Sequence, residues 1–167
     1  MSSAILNKRK TYMKLFLTLI CFFFITNSYS QTDTLIKSVH FHHRNGIIVG
    51  SQIDVYIYQD LWDDNHFYVE VKTSKSENKY PITYENILEL SYAVSKILPN
   101  DIIKVDRTCL DGGDTEIKFT KSGDFQNSVK YSVNCLSSSD DKTAWKDYLI
   151  AVNLILDLAK LKFSDLK

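Results

Sequence analysis

Through much of this chain, apolar and polar residues alternate one by one, the two-residue period of strands with one buried and one wetted face. Ile53, Val55 and Ile57 take one side while Asp54, Tyr56 and Tyr58 take the other. Phe67, Val69 and Val71 alternate with Tyr68, Glu70 and Lys72, and Ile117 and Phe119 with Glu116 and Lys118. Val129, Tyr131, Val133 and Cys135 alternate with Lys130, Ser132 and Asn134. These patterns predict strands over 35–44, 47–58, 66–73, 102–109, 115–120 and 128–136.

Two stretches switch to helical spacing. Ile87, Leu90, Val94 and Ile97 predict a helix over 84–98, with Thr83 as N-cap, Glu85 in the first turn and Pro99 as the stop. A second helix is predicted over 143–161, where Trp145, Tyr148, Leu149, Val152, Ile155 and Leu156 form a broad apolar side. The order is βββαβββα. It describes an α+β fold, mainly an antiparallel sheet of about six strands, with two helices packed on one face and the other face open to water.

The first hairpin carries a conflict. Asn45-Gly46 is the residue pair of a two-residue type I′ turn. The pairing set by that turn places Ile48 beside His43 and Gly50 beside Phe41, which puts Phe41 on the wrong side relative to Val55. A β-bulge at Gly50-Ser51 is therefore expected to restore the parity.

The chain's head has a different pattern. Lys8, Arg9, Lys10 and Lys14 precede an apolar run from Leu15 to Ile25, followed by Ser28, Tyr29 and Ser30. This is the layout of a secretory signal peptide, with cleavage expected after Ser30. The run of about 11 residues falls short of the roughly 20 that a spanning helix needs. Residues 1–30 are read as the cleaved signal and 31–167 as a single α+β domain, periplasmic or secreted, with no stable membrane insertion after cleavage. Retention as an anchor and lipidation at Cys21 are the less favoured alternatives; Ile20 stands where a lipobox wants a small residue.

Removing the signal leaves 16 basic against 20 acidic residues, a net charge of −4. Without a basic cluster the domain does not suit nucleic acid or an anionic bilayer. Cys109 and Cys135 remain, and in an oxidising compartment an even count reads as one disulfide. Closing that span would contribute roughly 3–4 kcal/mol in the chain-entropy model.

Candidate chemistry is sparse. No nucleophile elbow, phosphate loop or dinucleotide fingerprint occurs. The chain is read as a binding protein rather than an enzyme, with no resident cofactor. The open sheet face, with Tyr56, Tyr58, Tyr68, Glu70, Lys72, Lys118 and Lys130, is the expected recognition surface for another protein, in the manner of an inhibitor or immunity factor. A second reading takes His40 and His42, two residues apart on one strand, with His66, Asp63 and Asp64 as a zinc or copper site. Calcium at Asp-rich loops is a further metal option, although no EF-hand register is present. A hydrolase with an unrecognised site is the third reading.

Overall fold

The computed structural model describes residues 35–46, 51–60, 66–105, 113–121 and 127–166. Six strands form one sheet: β1 (Ile36–Arg44), β2 (Gln52–Gln59), β3 (Phe67–Thr73), β4 (Glu77–Ile82), β5 (Asp114–Lys121) and β6 (Ser128–Asn134). Their order across the sheet is β4-β3-β2-β1-β5-β6, and every neighbouring pair is antiparallel. The helices are α1 (Tyr84–Ser95), α2 (Pro99–Lys104) and α3 (Lys146–Leu158), with 3₁₀ turns at Ser138–Lys142 and Phe163–Leu166. The expected α+β class and an antiparallel sheet of six strands are present, but the elements run ββββααββα rather than βββαβββα, because a strand forms at 77–82 and the segment from 99 to 104 is helical.

Hydrophobic pattern and turn chemistry compete in the β1–β2 hairpin, and pattern prevails. Phe41 pairs with Val55 and His43 with Ile53, and Asn45 N donates to Ser51 O at 3.3 Å. The expected two-residue turn and its pairing of His43 with Ile48 are therefore replaced by a longer connection. The shift of five positions is odd, so it moves Val55 onto the face of Phe41 without an added residue in the ladder. Both are fully buried. Because a one-residue slip turns every side chain over, a buried face sets register more strongly than a turn dipeptide does. Gly50 lies outside the described residues. The one ladder irregularity of β1 falls instead between Ile36 and Ser38, against β5.

One strand and one helix differ from expectation. Residues 102–104, read from sequence as the start of a strand, belong to α2, while 106–109 lie outside the described residues. Pro99 opens this helix at its first turn rather than ending the previous one, as suits a residue with fixed φ and no N–H. The unforeseen strand is β4. Its six residues are half-buried or exposed, and its interior holds Pro81. A strand with a single partner need not show an apolar face, and proline is tolerated only at such an edge.

One apolar layer joins the sheet to its helices. Phe41, Val55, Ile57, Val69 and Ile117 from the sheet meet Leu90 and Val94 of α1 and Tyr148, Val152 and Ile155 of α3, all at most 1% exposed. Thr83 caps α1 as expected: its Oγ1 accepts from Asn86 N, and Asn86 Oδ1 accepts from Thr83 N. Polar groups facing the core are satisfied by the neighbouring layer. Ile36 N donates to Ser91 Oγ on α1, Tyr148 Oη donates to Thr115 O on β5, and Trp145 Nε1 donates to Ile102 O on α2. α3 ends in a Schellman motif: Leu161 N donates to Leu156 O and Lys160 N to Asp157 O, with Lys160 at φ 58°.

Candidate functional site

The registers of five strand pairs lay the polar face out in rows. One row reads Lys79, Glu70, Tyr56, His40, Lys118 and Lys130 from β4 to β6. The next reads Glu77, Lys72, Asp54, His42, Glu116 and Ser132. Tyr58 and Tyr68 pair with each other one row further on. All seven residues singled out for recognition thus share this face: the three tyrosines, Glu70 and Lys72 are half-buried, and Lys118 and Lys130 are exposed.

Contacts within the face fix its aromatic rings. Lys79 Nζ lies 4.0 Å from the Tyr68 ring centroid and 5.2 Å from that of Tyr58, and Lys72 Nζ lies 5.7 Å from that of Tyr56. Lys72 also pairs with Glu70 at 2.7 Å and Glu77 at 3.3 Å, and Lys130 pairs with Glu116 at 2.5 Å. The Lys72 hydrogen bond holds the Glu70 carboxyl below its usual range. Lys118, by contrast, has no carboxylate partner among the described residues. It borders a hollow of about 270 Å³ together with His40, Tyr56, Tyr58 and Thr120.

The centre of the face is a histidine–aspartate cluster. Asp54 Oδ1 accepts from His40 Nε2 at 2.9 Å and from His42 Nδ1 at 2.8 Å, while Gln52 Nε2 donates to Oδ2 at 2.6 Å. The His40 ring stacks on Tyr56, with centroids 4.4 Å apart and planes 5° from parallel. Burial pushes the Asp54 carboxyl up, but the hydrogen bonds from His40, His42 and Gln52 outweigh it and hold the group below the ordinary aspartate range. His40, His42 and Asp54 are a trio whose ligating atoms all lie within 4.8 Å of one another.

His66, also in the sequence-predicted metal set, lies apart from this trio. His66 precedes β3, where its carbonyl accepts from Asp60 N at 2.8 Å. That is four residues along β2 from Tyr56, the cross-strand partner of His40, or roughly 13 Å at strand rise. Asp63 and Asp64 lie outside the described residues. Asp54 is not singled out by the sequence because it stands 12 and 14 positions from the two histidines. Its place on the polar side was legible from alternation, but its closeness to His42 depends on a hairpin register that the turn signal misstates.

His43 points to the opposite, buried face. Its Nε2 donates to Leu166 O at 2.6 Å, and its Nδ1 meets Thr115 Oγ1 at 2.9 Å. Burial pushes this imidazole below the usual histidine range, partly offset by the Leu166 carbonyl. The third histidine of the run is thus a structural tie to the 3₁₀ turn Phe163–Leu166.

Cys135 follows β6 with φ 61°, and its N–H donates to Gly113 O at 2.9 Å. Cys109, its expected partner, lies outside the described residues. Among the described residues no helix is long and apolar enough to cross a membrane. Comparisons with protein-family models, curated proteins and solved structures return no match.

Proposed function

We propose that the chain is a small exported binding protein of the bacterial envelope or extracellular space, an accessory, inhibitor-like or immunity-like factor that recognises another protein through its polar sheet face. The observation that carries this reading is the set of half-exposed tyrosines held on adjacent strands under lysine side chains. Aromatic anchors fixed before binding lose little rotamer freedom on contact, and tyrosine dominates the energetics of many interfaces. The chemistry around Lys118 favours a partner segment that presents a carboxylate. That group would reach Lys118, which has no carboxylate partner among the described residues, while its neighbours lie against Tyr56 and Tyr58.

Export rests on the basic, apolar and small-residue layout of positions 1–30. A Cys109–Cys135 bridge fits the same compartment. Residue 109 is four positions in sequence from Gly113, whose carbonyl accepts from Cys135 N, a span that permits such a bridge.

Two measurements test the proposal. N-terminal sequencing and fractionation of the native host's protein should find a chain beginning at Gln31 outside the inner membrane. Captured from the host envelope, a protein partner should be retained by wild type and lost with Tyr58→Ala/Lys118→Glu at unchanged thermal stability. Partner retention by that variant, or a chain confined to the cytoplasm, would overturn the reading.

A further inference from the structure

We infer that His40, His42 and Asp54 form a binding site for a single borderline divalent transition-metal ion, zinc(II) or copper(II). Three observations converge. First, the ligating atoms come from two neighbouring strands at the middle of the sheet, on backbone that the ladders fix on both sides. A three-residue ligand set carried by strands is held more precisely than one carried by loops.

Second, the separations suit a small ion. Zinc at about 2.0–2.1 Å from each nitrogen or oxygen requires tetrahedral ligand atoms about 3.3 Å apart. The two imidazole–carboxylate separations are 2.9 and 2.8 Å, and all three ligating atoms fall within 4.8 Å. Small side-chain rotations therefore close the site around an ion. Two imidazoles and one carboxylate suit zinc or copper(II) far better than the hard, oxygen-seeking calcium.

Third, the groups behind the ligands are arranged to orient them. Gln52 Nε2 holds the Asp54 oxygen that does not face the imidazoles, and stacking on Tyr56 fixes the plane of the His40 ring. Such outer contacts set ligand direction and typically change metal affinity 10–100-fold. The Asp54 side chain is only 12% exposed, while His40 and His42 keep 33% and 28%. An ion seated there would keep a position open to water or to a partner's side chain.

Each imidazole now donates the N–H that faces Asp54. On metal binding that nitrogen's lone pair becomes the ligand, and its proton moves to the other ring nitrogen or to solvent. No redox step is involved.

The test uses the processed chain from Gln31 after chelator treatment, with ZnCl₂ or CuCl₂ as the probe. Calorimetry should show saturation at one equivalent. The copper(II) electron paramagnetic resonance spectrum should carry superhyperfine coupling from two imidazole nitrogens, falling to one in His42→Ala. Asp54→Asn should weaken zinc binding at least about ten-fold and the peripheral Gln52→Ala by less, whereas His66→Ala should leave affinity and spectrum unchanged. If Asp54→Asn fails to fold, the wild-type spectrum and Gln52→Ala decide. Absence of saturable uptake, a spectrum unchanged in His42→Ala, or loss of binding in His66→Ala would each overturn the assignment.

Discussion

His43 on the central strand and Leu166 in the 3₁₀ turn Phe163–Leu166 are joined by a 2.6 Å hydrogen bond that spans 123 residues of sequence. The contact ties the terminal 3₁₀ turn to β1, beneath the end of the sheet where Thr115 supplies the second partner of the ring. Replacing His43 with Ala should remove both bonds and leave a buried gap, at a cost of about 2–4 kcal/mol. Urea denaturation measures the loss. Hydrogen exchange should show residues 163–166 exposed well before the rest of the domain opens.

Gly113 lies against the same ring. A Cβ there would sit 2.5 Å from Arg44 O and 2.8 Å from His43 Cε1. The backbone oxygen cannot move aside without disturbing the β1–β5 ladder, so Gly113→Ala should destabilise by about 1–3 kcal/mol. Because the two sites touch, the double variant with His43→Ala should cost less than the separate losses added together. A double-mutant cycle by urea denaturation checks this.

Much of this architecture was legible in the sequence, and the exceptions have physical causes. Alternation alone placed Tyr56, Tyr68 and Lys118 on one face, because a buried opposite face enforces it. Thr83 was readable as a cap from local chemistry. β4 was not legible, since an edge strand with Pro81 buries too little to leave a pattern. The Asp54 cluster was hidden for another reason: its members meet through a register decided by tertiary packing, against the local preference of Asn45-Gly46.

Tyr148 should control the alkaline limit of stability. Burial pushes its hydroxyl well above the usual tyrosine range, with Glu116 adding to the effect. A group raised in the folded state contributes stability that is complete below the unfolded value near pH 10, and that is lost as pH rises from there toward the folded value. The wild type should therefore lose about 1.4 kcal/mol per pH unit at this residue above pH 10. Tyr148→Phe removes the bond to Thr115 O, worth about 1 kcal/mol at neutral pH, together with this pH term. Denaturation curves of the two proteins should converge between pH 10 and 11.

The reciprocal cap of α1 gives a smaller effect. Thr83→Ala strands the Asn86 amide and should cost about 1 kcal/mol, while Thr83→Ser should be nearly neutral. Thermal unfolding of the two variants side by side measures the difference.

Pro81 on the outermost strand has a consequence for life in a crowded compartment. An open margin of unsatisfied amides invites another chain to zip alongside, the first step toward fibrils. Pro81 offers no amide to such a neighbour. The fold can therefore display a broad wet surface while refusing accidental extension of its fabric from that side.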